Sequence, residues 1–494
     1  MAPTVRGFKT AGLLAAAVVV VCLMLTIPTP PPEVDRSGAP SAFAWNRDAY
    51  WKQLESEFQN AREAGCDSVQ SIVGNRLRGF ERGVVSIDNA DQPADSVIFT
   101  EILRRQFDLA PLLAACPSRL AEFVALTNKL RVSLKASARG WDLSNPAVRR
   151  LMYRVLYGSR LAVEEIVLQA ETASLDPLQR ISDEPSSTPA AEMIDITVHS
   201  GDILVSRGGA PTSALIARGN DHPGNFSHIA FVHVDSTTGE ISIVESHIEI
   251  GMAVATPEDY FADKKLRLMV LRLRSDLPQL VADPMLPHRA ATAALNRARS
   301  GHVAYDFEMD YSDAEKLFCS EVVSHPYHEA GIDLWMGVSR MSTPGVRSWL
   351  AAFGVKHFET QSPSDLEYDP QLVVVAEWRD DEALYQDHVD NAILDAMLER
   401  AEQGEQLTYD WYLLPFGRIL KAYSFVMNIF GLVGPIPEGM DAAAALKNDR
   451  FSQRHRLVKD HLLAQAEQFR QANGYRPPYW ELVNLARQAV NANL

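Results

Sequence analysis

Cysteine is scarce: the chain of 494 residues has four, at positions 22, 66, 116 and 319. That excludes a disulfide-stapled scaffold, and no CxxC pair or Cys/His cluster with zinc-finger spacing occurs. Positive charge is short too, with 47 Lys and Arg against 63 Asp and Glu and a net charge of −16. No basic run supplies the electropositive face a nucleic-acid binder needs, so no nucleic-acid partner is expected. Internal repeats are missing as well, which argues against a solenoid. What is present is ordinary globular material, 47% hydrophobic and 22% charged, enough for a sizeable core and for roughly three domains.

The N-terminus departs from this pattern. Arg6 and Lys9 precede an uncharged run over residues 10–29, whose centre is almost wholly Ala, Val, Leu, Met and Ile. The run can just span a bilayer, whereas signal-peptide apolar regions are shorter. Ala42-Phe43-Ala44 is a cleavage-like signature, but the proline-rich stretch 28–32 separates it from the run. The reading is an uncleaved single-pass anchor in the inner (cytoplasmic) membrane. The cations keep the short N-terminus in the cytoplasm, so the bulk of the chain is extracytoplasmic or periplasmic. In that compartment Cys66 and Cys116 either pair or remain two buried thiols, and Cys319 is left without an obvious partner.

Four segments follow: 1–44 as anchor and linker, 45–190 as a helical region with its linker, 191–380 as a mixed region, and 381–494 as a helical C-terminal region. Trp51, Leu54, Phe58 and Ala61 recur at helical spacing, as do Val148, Leu151, Met152 and Val155 after the start signal Asn145-Pro146. Residues 182–189 are Ser/Pro-rich and read as a linker. Beyond them, 201–205, 226–234, 240–249, 266–273 and 371–378 read as strands, with a turn at 236–239. Residues 288–300 read as a helix. A helix is also expected from Cys319 onward, with a kink or break at Pro326. Val389, Ile393, Met397 and Ala401 form one later stripe, and Leu457, Leu463, Ala466 and Phe469 another. The uncharged stretch 422–436 is too short to span comfortably and reads as a buried core helix, with an interfacial membrane contact as the alternative.

Candidate chemistry lies in the mixed region. Cysteine catalysis needs a nucleophile, a base that also protonates the leaving group, and a group that orients the base. Cys319 stands where a helix should begin, with unpaired backbone N–H groups able to hold an oxyanion. His228 lies on a strand among apolar neighbours. With a four-residue loop over 236–239, Asp235 faces Glu240. His228 then faces His247, and Glu245 lies diagonal to His228 on the same sheet face, roughly 7–8 Å away between backbones. Glu245 is thus the candidate orienting group, with His247 its rival. Tyr305 and Asp306 either line the cleft or end a strand, Glu321 suits a first helical turn, and Asp202 shapes a turn. His222, His228, His233 and His247 are the only candidate metal cluster. His233 and His228 have opposite strand parity, so neither a metal nor another cofactor is expected.

GDILV at 201–205, SHIAFV at 227–232, VES at 244–246, YDF at 305–307 and FCSEVV at 318–323 together resemble the permuted papain-fold amidases of the YiiX/YaeF type, relatives of the NlpC-like cell-wall hydrolases. The order His, Glu, Cys is what a circular permutation of a papain-like chain produces. The resemblance covers roughly residues 195–380. It implies an α+β fold, a small antiparallel sheet or barrel packed on helices, with helical flanks. It also implies Cys319 as nucleophile, His228 as base and Glu245 as third member, acting on a peptide-like amide, perhaps of the cell wall. A lipid ester or amide hydrolase or acyltransferase of the same fold is the enzymatic alternative, and a non-catalytic envelope scaffold the alternative from another class. No protein partner is indicated.

Overall fold

The computed structural model describes residues 24–27, 49–88, 92–170, 175–335, 339–430 and 432–492. Most of the expected anchor run, and the 42–44 signature, lie outside the described residues. Among those described, no single helix is long and apolar enough to cross a membrane.

The first region is helical: α1 (Ala49–Ala64), α2 (Cys66–Asp88), α3 (Val97–Ala115), α4 (Leu120–Ser137) and α5 (Pro146–Gln169). Leu54, Phe58 and Ala61 bury the expected face of α1; Val148, Met152 and Val155 do so for α5. The Asn145 side chain accepts from the Ala147 N–H at 2.9 Å, with Pro146 opening the helix. A disulfide joins Cys66 to Cys116, with a Cα–Cα distance of 4.9 Å.

The mixed region holds β1 (Leu178–Arg180), β2 (Ala190–Met193), β3 (Ile196–His199), β4 (Ile203–Gly208), α6 (Pro211–Arg218), β5 (His228–Val234), β6 (Ile241–His247), β7 (Gly251–Ala255), β8 (Lys265–Leu273), α7 (Leu286–Ser300), α8 (Glu321–Glu329), β9 (Ser339–Arg340), α9 (Pro344–Ala352), β10 (Glu359–Thr360) and β11 (Leu372–Trp378). Seven strands form an antiparallel sheet in the order β1-β11-β8-β4-β5-β6-β7. Alternate residues feed two cores. Val205, Ile229, Phe231 and Met269 pack with the helical region, while Leu204, Ala230, Val232 and Val270 pack on the other face. Burial on both faces explains why these strands are mostly apolar. Gly201, which opens the GDILV strand, has φ 102°, and a Cβ there would come within 2.3 Å of Pro287 Cβ. Its neighbour Asp202 does more than shape a turn: both carboxylate oxygens accept from Arg272, at 2.8 Å each.

The last region holds α10 (Asp381–Glu402), α11 (Leu414–Ile429), α12 (Ala442–Asn473) and α13 (Tyr479–Ala492). The Val389–Ala401 stripe is buried. On α12 the buried stripe is Phe451, His455, Val458, Leu462 and Ala466, so Leu457 faces solvent, contrary to expectation. The larger correction concerns 422–436. This stretch is not a buried core helix: α11 buries only Leu414, Gly417 and Ser424 and turns its large apolar residues outward. Pro326 does not break α8, which continues to Glu329.

Buried ion pairs tie the three regions together. Arg131 of α4 reaches Glu377 at 3.1 Å, and Arg160 of α5 holds both Glu367 and Glu377. Glu164 of α5 accepts from Arg267 of β8, which also pairs with Asp387 of α10 at 2.5 Å. Residues 182–189 form coil, tied to the sheet by the Ser182 N–H on Val375 O and by Arg272 Nη1 on Glu184 O at 2.6 Å.

Candidate active site

The hairpin β5–β6 has the expected register, with Ala230 opposite Glu245 and Phe231 opposite Val244. Asp235 closes it, its carboxylate accepting from the N–H groups of Thr237 and Thr238 at 2.8 Å each. This register sets Glu245 diagonal to His228, and the side chains close the gap. Glu245 Oε2 lies 2.7 Å from His228 Nε2, and its Oε1 lies 2.9 Å from His247 Nε2. One carboxylate therefore serves two imidazoles, whose rings stand 5.4 Å apart. His247 meets Glu245 rather than competing with it for His228.

The Cys319 loop is held from several sides. Ser246 Oγ of β6 donates to Leu317 O at 2.6 Å, and Ser320 Oγ donates to Gln361 O at 2.9 Å. Helix α8 starts at Glu321 with Ser320 as its cap, so Cys319 sits one residue before the cap. Glu321 is more than a first-turn carboxylate. Its Oε2 accepts from the Phe318 N–H at 2.9 Å, bracing the loop, and burial pushes its carboxyl up to about 7. Among the described residues, the backbone N–H groups of Cys319 and Ser320 donate to no protein group.

Electrostatics link the three side chains. Burial alone would lower the His228 imidazole; hydrogen bonds and charge from Cys319 and Glu245 outweigh it and push the imidazole up to about 9. Burial alone would raise the Glu245 carboxyl, but the two imidazoles outweigh it and hold it down at about 2. With Nε2 on Glu245, the ring nitrogen left for Cys319 is Nδ1.

Cys319 is 5% exposed and opens on a cavity. Leu215, Tyr305, Phe307, Phe318, Leu350 and Met440 give the cavity its apolar character. Of the expected cleft residues only Tyr305 lies on the wall. Asp306 turns its carboxylate onto the N–H groups of Glu308 and Asp310, and His247 stands on Glu245. Sequence reasoning missed the polar wall. Asn220, Thr360, Gln361 and Ser362 line the cavity, and Asn220 Nδ2, Thr360 Oγ1, Gln361 Oε1 and Ser362 Oγ are buried without a hydrogen-bond partner. Asn220, Gln361 and Ser362 come from loops, and Thr360 from the two-residue strand β10, none of which carries a periodic signal. The four-histidine cluster is not assembled: His222 packs on Tyr153 and His233 on His288. Instead His228, Glu245 and His247 offer ligand atoms within 4.8 Å of one another.

An antiparallel sheet packed on helices, carrying His, then Glu, then Cys along the chain, belongs to the papain-like class with its chain order permuted. Residues 197–376 match the family described as permuted papain-like amidase enzyme, YaeF/YiiX, C92 family, so this segment is similar to cysteine amidase-like hydrolases. A solved structure described as metalloprotein yiiX from Escherichia coli O157:H7 is 19% identical; the match spans 98% of that chain and 37% of this one, with a TM-score of 0.29. No curated protein matches the chain.

Proposed function

We propose that the protein is a membrane-anchored, extracytoplasmic cysteine amidase that uses Cys319, His228 and Glu245 on a peptide-like amide. The carrying observation is the 2.7 Å bond from His228 Nε2 to Glu245, which leaves Nδ1 to work on the thiol. His228 takes the Cys319 proton, and sulfur attacks the amide carbonyl. The tetrahedral oxyanion is stabilised by the N–H groups of Cys319 and Ser320. His228 returns its proton to the leaving amine, and water releases the acyl group from sulfur. The Cys66–Cys116 disulfide suits an oxidising compartment, and the apolar run behind Arg6 and Lys9 supplies the anchor. The test is labelling with a thiol-reactive acyl probe followed by peptide mass spectrometry. Selective acylation of Cys319 supports the reading; unreactive Cys319 in folded protein overturns it.

A second reading is favoured by the same three side chains, since two imidazoles and a carboxylate can hold a divalent cation. His228 cannot both ligate a metal through Nε2 and keep its Glu245 bond. Chelation separates the readings: the thiol mechanism survives EDTA, and a metal-dependent activity does not.

A further inference from the structure

Helix α11 is built with its apolar side outward. Besides Leu414 and Leu420, its inward side carries small or polar residues: Gly417 lets α12 approach, with Leu446 at 3.4 Å from where a Cβ would stand. Ser424 Oγ accepts from the Ile436 N–H at 2.9 Å and donates to Leu420 O at 3.0 Å. Lys421 Nζ donates to Pro437 O at 2.7 Å. These bonds fix which side of the helix faces the protein. The opposite side carries Phe416, Ile419, Tyr423, Val426 and Phe430 at spacings of three and four, each at least 50% exposed. Trp411 and Tyr412, also exposed, stand at its start. An apolar face this continuous marks an interaction surface.

The chain itself indicates what covers it. The charged residues of α11 are Arg418 and Lys421, and both are engaged on backbone carbonyls rather than lying on the outward side. Arg418 holds the carbonyls of Met24 at 3.0 Å, Leu25 at 2.8 Å and Ile27 at 2.8 Å. Those residues belong to the C-terminal end of the apolar run 10–29, so that end lies against this helix. Met24 and Ile27 are themselves exposed and extend the same patch. Aromatic and aliphatic side chains without charge are what a helix lying in a membrane interface presents. On the inner side, Leu420 packs against an apolar cluster whose Phe307, Phe318 and Met440 are also walls of the Cys319 cavity.

We infer that α11 seats its outward face in the lipid leaflet entered by the N-terminal run. The bilayer then supplies amphiphilic, acyl-bearing substrates to the cavity behind the helix; this second part rests on the cysteine-amidase reading. With a net charge of −16, the attraction is apolar insertion and not a polybasic contact.

The test uses the full chain in phosphatidylcholine vesicles containing a phosphatidylcholine with a diazirine on its acyl chain. Irradiation and peptide mapping should place label on residues 411–433 as well as on the N-terminal run. The double substitution Phe416→Glu and Phe430→Glu should cut label at the helix by about tenfold or more, while N-terminal labelling and the melting temperature persist. Label confined to the N-terminal run overturns the inference, whether a second copy or the run itself covers the helix. In a second arm, the double variant should hydrolyse a short soluble amide like the wild type, and a long-chain N-acyl amide in vesicles about tenfold more slowly. Equal loss on both substrates overturns the delivery role. If the wild type hydrolyses neither, the amidase reading fails, and the labelling result decides the seating alone.

Discussion

Glu245→Gln isolates the charge of the carboxylate from its shape. In the wild type the Glu245 carboxyl falls from 4.5 to about 2, which amounts to about 3 kcal/mol in favour of the anion. Both imidazoles hold that anion, His228 more than His247, so its charge stabilises the His228 imidazolium in turn, on the order of tenfold. Glutamine keeps one acceptor oxygen for His228 and loses the charge. The assay needs no substrate: alkylation of Cys319 by iodoacetamide, followed by peptide mass spectrometry across pH. At neutral pH the variant should react roughly tenfold more slowly. The imidazolium is raised from 6.5 to about 9, so its stabilisation is complete below 6.5 and lost as pH rises through about 9. The difference between the two proteins should therefore shrink above pH 9, and the high-pH limb of turnover should move acidward in the variant. His247→Ala leaves the His228–Glu245 bond in place and should cost only a few-fold. The reasoning is refuted if Glu245→Gln leaves the profile unchanged while His247→Ala collapses it, since His247 would then be the orienting group.

Three further outcomes are expected. Cys319→Ala should abolish hydrolysis with the melting temperature preserved, Cys319→Ser should be nearly as poor, and His228→Ala should cost about as much, because groups acting as one unit lose activity non-additively; steady-state kinetics beside calorimetry checks this. Reducing the Cys66–Cys116 bridge, which closes a separation of 50 residues, should cost up to about 4 kcal/mol, read from urea midpoints with and without reductant. Glu164→Ala leaves buried Arg267 with Asp387 alone and takes the carboxylate from His388, and should destabilise by about 3 kcal/mol, again read by urea unfolding.

The hairpin carrying His228 and Glu245 was legible because period-two alternation and one turn fix a register, and a register fixes which side chains meet. The Asn145 cap was legible for a similarly local reason. Helix α11 was not: fifteen uncharged residues read as core, and its orientation is decided by Gly417, Lys421 and Ser424 bonding to segments that follow it. Arg267 was equally opaque. Between leucines on a strand it looks like a solvent-facing position, and its partner Glu164 lies 103 residues away. The cavity wall from Asn220 and residues 360–362 is assembled by loops and a two-residue strand, whose conformation follows tertiary contacts and not pattern.

The disulfide also bears on the order in which the thiols meet. In a chain delivered amino end first across a membrane, Cys66 and Cys116 emerge early and can fold together within their helical bundle. Cys319 follows roughly 200 residues later, on the order of ten seconds or more at the pace of synthesis. By then its two potential mispairing partners are already joined to each other. In an exported chain, the linear order of the cysteines would thus guard Cys319 against capture by Cys66 or Cys116. A rearranged chain that placed Cys319 ahead of Cys66 would forfeit that protection, and scrambled bridges would appear before any loss of fold.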